Sequence, residues 1–397
     1  QSPKLTKIKK ESSSNKAILE TGKCGNDVSY VLENGILQIT GSGPMTNYSL
    51  LEQEWDKCNS DVSSIIIENG VTTIGSYSFL SFVNLKSITI AESIISIGDF
   101  SFCNCTSLKS ITIPNNVQTI GNSSFFNCWS LISVDISKSM LSITNNSFYN
   151  CSSLPSIRLP SNVASIGYHA FSYCKSLASI NFPANISMID EYAFTACFKI
   201  ETLIITGPGP MCDSDNFYSI FSPFNTFIKN VTLVNGVTYI GVRSFNFFNQ
   251  LKSIDLSDSI ISIGASAFEY CSFDSINLPD SLISIGYSAF RYCRKLISLN
   301  IPDSVTTIGE MAFNSCDSLS SVKLSNNINR INSSLFSQCS SLTDVKIPDK
   351  VKIIDWSAFF GCYKLVSINI PNSVTDIYPQ SFYSCISLVS INISDSV

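Results

Sequence analysis

The sequence predicts a right-handed α/β solenoid, about thirteen short coils that each pair a parallel strand with a short helical turn. Three observations carry this reading. Ile stands at 74, 97, 120, 143, 166 and 189, then at 240, 263, 285, 308, 331, 354 and 377, at a constant step apart from one shorter step (263 to 285) and one interruption (189 to 240). Phe follows each of these Ile five positions later, from Phe79 to Phe382. Cys stands three positions after that Phe in eleven coils, at 105, 128, 151, 174, 197, 271, 293, 316, 339, 362 and 385. A fixed period between roughly 20 and 50 residues marks stacked units that bury their apolar faces on one another.

In chain order, residues 1–22 are polar, basic and without period, with Lys4, Lys7, Lys9 and Lys10 before a Ser12–Ser14 run, and read as a disordered lead or spacer. Residues 23–62 read as an N-terminal cap. Val28–Leu32 and Ile36–Thr40 alternate around Asn34-Gly35, a hairpin signal because both turn residues need positive φ. Residues 63–204 form the first array and 231–397 the second, with 205–230 a second cap-like insertion that should interrupt the stack or bulge from it. The insertion is not random. Ile39-Thr-Gly-Ser-Gly-Pro-Met45 returns as Ile205-Thr-Gly-Pro-Gly-Pro-Met211, and the displacement from 39 to 205 equals that from Ile74 to Ile240, so the chain reads as two tandem copies of one module.

Within one coil, Leu108, Ile111 and Ile113 end in period-two alternation and read as a short strand with its apolar side inward. Pro follows that strand in seven coils and stops the ladder. The residue after the repeated Ile is Gly in eight coils, with Thr144, Asp190, Asn332 and Asp355 among the rest, all preferred helix N-caps; Pro379 suits a first helical position. Phe125 and Cys128 then face inward from a short helical turn.

Fifteen cysteines raise disulfide and metal readings. Rungs about 4.8 Å apart are within disulfide reach, but an odd count of eleven, and Phe82 and Phe248 in place of the Cys, favour buried free thiols that pack as small hydrophobes. Off the ladder, Cys24 and Cys58 are candidates for one disulfide, and Cys103 and Cys212 read as exposed single thiols. With one His in the chain, zinc is not expected, nor is any other cofactor.

Between the inward residues of the main strand lie a nearly uniform Ser column and a varied one. The varied column is where a solenoid would store recognition, and its candidate binding residues are Thr112, Asp135, Arg158, Asn181, Asp255, Asn277, Asn300, Lys323, Lys346 and Asn369. A merely solvated sheet face is the competing reading. His169, beside Tyr168 in the outer turn, reads as a surface residue without a role. There is no recurring carboxylate pair, no phosphate-cradling Gly motif and no nucleophile with a base at plausible spacing, so catalysis is not expected.

A net charge of -5 gives no electrostatic case for nucleic acid or an anionic membrane, and no apolar run approaches the roughly 18–20 residues of a spanning helix. Asn-x-Ser/Thr sequons at Asn47, Asn104, Asn122, Asn145, Asn150, Asn185, Asn230, Asn332 and Asn392 are candidate glycosylation sites and support secretion weakly. Gln1 in place of Met, and a stop at Val397 where a coil should begin, lead us to expect a piece of a longer protein, truncated within its second array.

The unit C-x-x-L-x-S-I-x-I-P-x-x-V-x-x-I-G-x-x-A-F, seen nearly throughout Cys293–Phe313, resembles the BspA-like leucine-rich repeat family over about residues 24–397. The Cys24-Gly-Asn to Gly43-Pro-Met45 lead is similar to the segment that precedes the repeats in that family. The resemblance implies a curved leucine-rich repeat stack in secreted or cell-surface proteins of bacteria and mucosal protists, linked with adhesion to host proteins and cells. It carries no catalytic residues and fixes no binding residues. The expected function is therefore a non-enzymatic binding protein, at the cell surface or secreted, whose partners are proteins such as host matrix or cell-surface proteins. An intracellular repeat scaffold is the alternative.

Overall fold

Each repeated Ile-x-x-x-x-Phe-x-x-Cys block closes one coil of a parallel β-solenoid. A computed structural model describes residues 20–50, 55, 58–213, 220–393 and 397. Two compact units are present. Residues up to Asn181 with Met188–Ile200 form the first, and Phe182–Ser187 with Glu201 onward form the second. Residues 1–19 of the proposed lead lie outside the described residues. Glu20–Gly22, which the sequence assigns to that lead, belong instead to strand β1 (Glu20–Lys23).

In the first unit β1 pairs antiparallel with β2 (Val28–Glu33), and β2 pairs antiparallel with β3 (Ile36–Gly41) through the expected hairpin. Asn34 and Gly35 both take positive φ, 52° and 79°, as a tight two-residue turn between twisted strands requires. β3 then runs parallel to β5 (Ser64–Ile67), and β5 to β7 (Ser87–Ile90), so the hairpin leads straight into the repeat register. A second parallel ladder starts at β4 (Gly43–Pro44), which pairs with β6 (Val71–Ile74).

The second unit opens on the same elements at one constant displacement. Strands start at 202 against 36, 209 against 43, 230 against 64 and 237 against 71, and Thr202–Thr206 pairs parallel with Asn230–Leu233 just as β3 pairs with β5. The core is equally regular. Twelve of the thirteen repeated Phe are buried, and Phe382, in the last coil, is half-buried. Consecutive rings stack at 5.2–5.4 Å from Phe79 to Phe194 and at 5.2–5.7 Å from Phe245 to Phe382. Removing one such ring costs about 3–5 kcal/mol in a well-packed core.

The helical turn expected around each Phe does not form. Among the described residues the helical segments are two 3₁₀ turns, Asn59–Asp61 and Ser222–Phe224. Instead, every second N–H of this stretch donates to the next coil: Phe100 to Asn122, Phe102 to Ser124 and Asn104 to Phe126 carbonyls, at 2.7–3.0 Å. Bonds between coils consume the donors that a helix would turn inward on itself. The cost is a left-handed conformation at two residues in most coils, as Ser123 (φ 56°) and Asn127 (φ 59°) show around Phe125.

The Gly after the repeated Ile is correspondingly not a helix cap. A Cβ on Gly75 would lie 1.9 Å from the Thr46 carbonyl oxygen, and one on Gly241, its counterpart in the second unit, 2.1 Å from that of Cys212. At these two positions glycine is needed because the preceding backbone passes too close for a side chain.

Candidate functional site

Short strands of two to five residues leave their alternate side chains outward, so the varied column lands on the surface as expected. Thr112, Asp135, Arg158, Asn277, Asn300, Lys323, Lys346, Asn369 and Asp255 are exposed and Asn181 is half-buried. In the first unit Thr112 pairs in register with Asp135, and Arg158 with Asn181. The Thr112 hydroxyl donates to Asp135 Oδ2 at 3.3 Å. In the second unit Asp255 pairs with Thr232, Asn300 with Lys323 and Asn369 with Asn392. Lys346 follows a two-residue strand, Asp344–Val345, and Asn277 lies in the shortened coil, where no strand forms at that level. Both units thus display a single file of differing polar and charged groups, one per coil.

Sequence reasoning overlooked the apolar residues beside this file. Ile132, Ile297 and Val366, each four positions after a ladder Cys, are 53%, 52% and 49% exposed. They flank Asp135, Asn300 and Asn369, and isolated apolar contacts next to polar ones suit a protein partner. The only advance signal was a branched aliphatic residue at a coil position that Lys holds at 86, 109 and 252.

In the first unit, the second ladder forms the floor of an open groove of about 670 Å³ lined by Asn47, Ser76, Asp99, Asn122 and Thr144. Its side-chain oxygens are already engaged. Asn47 Oδ1 accepts from the Ser76 N–H at 2.8 Å, Asp99 Oδ1 from Asn122 at 2.6 Å and Asn122 Oδ1 from Asn145 at 3.2 Å.

The cysteine ladder has a role beyond volume. Every one of the eleven thiols donates to the carbonyl of a ladder Phe in the preceding coil, from Cys105 to Phe79 through Cys385 to Phe359, at 3.0–3.4 Å. The two coils with Phe82 and Phe248 are the first of each unit. There the second Phe packs edge-to-face on the first, Phe82 on Phe79 and Phe248 on Phe245, both at 5.6 Å. Burial pushes the thiols of Cys128, Cys316 and Cys339 well above their ordinary range, so they stay protonated and unreactive. Off the ladder, Cys24 and Cys58 are both buried, and Cys58 donates to the Trp55 carbonyl at 3.4 Å. Cys103 is not the exposed thiol expected. It is 6% exposed, and burial raises its pKa to about 11. Cys212 is half-buried, its thiol donating to the Asn185 carbonyl at 3.5 Å.

Of the sequons, Asn47, Asn122, Asn145 and Asn185 are exposed, whereas Asn230 and Asn332 are half-buried. Asn332 donates its amide nitrogen to the Ile308 carbonyl, and Asn150 does the same to Asn127 Oδ1. Among the described residues no cluster of His, Cys, Asp or Glu could hold a metal, and no helix is long and apolar enough to cross a membrane.

A profile described as "BspA type Leucine rich repeat region (6 copies)" matches residues 52–152, 141–260, 218–343 and 330–397. Among solved structures, a leucine-rich repeat protein from Bacteroides ovatus is 26% identical, with a TM-score of 0.53 over 94% of this chain and 88% of that one. A leucine rich cell surface protein from Faecalibacterium prausnitzii is 24% identical, with a TM-score of 0.34 over 96% of each chain. A leucine-rich repeat protein from Eubacterium ventriosum is 20% identical, with a TM-score of 0.36 over 96% of this chain and 92% of that one. No curated protein matches the chain.

Proposed function

The chain belongs to the BspA-type leucine-rich repeat family, and from that premise we propose that it is a non-enzymatic binding protein, secreted or displayed at a cell surface, that adheres to host proteins. The observation that carries this reading is the register-aligned file on the strand face, Thr112–Asp135 and Arg158–Asn181 in one unit and Asn300–Lys323 in the other. A scaffold whose interior repeats while one outward position varies from coil to coil separates stability from recognition. Within it, residues 23–62 act as cap, 63–204 as first array, 205–230 as a second cap-like segment and 231–397 as second array. The equally displaced strand starts, 36 and 202 or 64 and 230, support that division.

The test is binding of the purified chain to immobilised matrix proteins and to cultured epithelial cells. One variant carries Asp135→Lys and Arg158→Glu, another Lys323→Glu and Lys346→Glu. All four side chains are exposed, so folding should persist. Binding is expected to fall in at least one variant; equal binding by both would remove the strand face from the proposal. Because buried protonated thiols survive equally well in a reducing compartment, an intracellular scaffold is the second reading. Antibody labelling of intact source cells separates the two.

A further inference from the structure

The chain's one histidine sits in a dense group of rings on the outer turns of the first unit. Tyr149 stacks on Phe126 at 4.6 Å and 3°, and this pair forms a half-buried base. Above it Tyr149 contacts Tyr173 at 5.3 Å and His169 at 6.0 Å. Tyr168 meets His169 at 4.0 Å and Tyr192 at 5.7 Å, both steeply inclined. Tyr168, Tyr192 and Tyr173 remain 46%, 47% and 39% exposed.

We propose that Tyr168, Tyr192 and Tyr173 form a carbohydrate-binding platform on which pyranose rings stack. The site is separate from the strand face and does not depend on that reading. Three features favour a sugar. The exposed rings are all tyrosines, so each couples an apolar face to a polar tip, which matches the C–H face and hydroxyl rim of a pyranose. Tyr168, His169 and Tyr192 touch one another, and Tyr173 rests on Tyr149, instead of walling the hole that a quaternary ammonium ligand needs. The His169 ring that lies against Tyr168 and Tyr192 is itself fixed: its Nδ1 and the Ser172 hydroxyl are 2.7 Å apart, and Ser172 donates to the Tyr192 backbone carbonyl at 2.7 Å. Exposed Lys175 and Glu191, in the same and the next coil, can serve ligand hydroxyls.

The second unit shows what a self-satisfied arrangement looks like. Tyr270 and Tyr292 stack at 4.4 Å, and Arg291 and Arg294 lie over Tyr292 at 4.6 and 5.5 Å, so those faces are already covered. Tyr287 occupies the coil position of Tyr168 and is 49% exposed, its hydroxyl 3.4 Å from Met311 Sδ. It serves as an internal control.

The test uses the whole chain with chitotriose, cellotriose, maltotriose and N-acetyllactosamine at millimolar concentration, read by saturation-transfer NMR. At least one sugar should receive saturation at its ring C–H protons. Its affinity should fall about tenfold or more in the Tyr168→Ala/Tyr192→Ala double variant and stay unchanged in Tyr287→Ala. Absence of transfer to all four sugars overturns the proposal, as does binding that the double variant leaves intact. A glycoprotein captured equally well before and after enzymatic deglycosylation, and lost in the double variant, would make the patch a protein site and overturn it likewise. Thermal midpoints of all variants verify that each is folded.

Discussion

The indole of Trp55 lies parallel to the ring of Phe79, 5.6 Å away and 10° from coplanar, with its Nε1–H donated to the Ser78 carbonyl. Phe221 and Phe245 repeat the relationship in the second unit at 5.7 Å and 7°. The aromatic stack of each unit therefore begins one ring earlier than the repeat does, on a residue set one place further back than the regular step would put it. Tyr30 covers Trp55 edge-on at 5.0 Å, and Phe182 covers Phe221 at 5.4 Å.

Trp55→Ala should cost about 3–5 kcal/mol in denaturant unfolding, because it empties a fully buried site at the head of the stack. Since solenoid coils feel mainly their neighbours, hydrogen exchange should quicken first around Tyr30 and Phe79 and leave the coils near Phe313 protected. Uniform acceleration over the chain would contradict nearest-neighbour coupling.

Cys128→Ala should cost about 1 kcal/mol beyond its lost volume, because the Phe102 carbonyl loses the thiol donor and keeps only the Cys105 N–H at 3.2 Å. Phe82→Leu, at a site without such a bond, tests packing alone. Equal m-values and shifted midpoints in urea would establish the comparison.

The same thiols impose a pH limit. Their folded-state pKa values lie above the ordinary value of about 9, so their contribution is complete below that pH and is lost as pH climbs through the window above it. Each thiol that ionises only on unfolding removes about 1.4 kcal/mol per pH unit. Unfolding free energy should thus drop between pH 8 and 10 more steeply in the native chain than in a variant with three ladder cysteines replaced by Ala. Parallel slopes would show that the thiols ionise in the folded state.

Gly75→Ala and Gly241→Ala should each destabilise by more than the roughly 0.5 kcal/mol of an ordinary surface substitution, since the new Cβ meets backbone oxygen and not a flexible side chain. Thermal midpoints at fixed pH provide the check, and unchanged midpoints would mean that adjacent coils can separate locally.

Expressed in a glycosylating secretory host, the chain should carry glycans at the exposed Asn122 and Asn145 but not at Asn332, whose amide nitrogen is committed to the Ile308 carbonyl. Glycopeptide mass spectrometry reads the occupancy, and a glycan on Asn332 would show that this bond opens.

The repeat, the parallel register and the outward column were legible because buried Ile, Phe and Cys recur at fixed spacing and only a stacked coil satisfies all three. The turns around each Phe were not. Ser123, Asn127, His169 and Tyr173 adopt positive φ without being Gly, and nothing local in the sequence announces that, because bonds to the next coil impose it. Trp55 and Phe221 are hard to see in advance because the spacing shifts by one and the residue type differs between copies. The tyrosine cluster was hidden for another reason. Tyr149, Tyr168, Tyr173 and Tyr192 hold different coil positions and converge only once the coils are stacked.

The thiol of Cys293 reaches back to the Phe268 carbonyl over a span one residue shorter than in the other coils, and still does so at 3.1 Å. The missing residue is absorbed beside Asp274–Asn277, and Phe273, one place early in the seat that Leu holds in neighbouring coils, extends inward to touch Phe268 at 6.0 Å. The chain thus accommodates a coil of unequal length by giving up one short strand on its varied face and filling the gap inside with a bulkier plug. Selection can trim a residue there while the rows of Phe and Cys keep their beat.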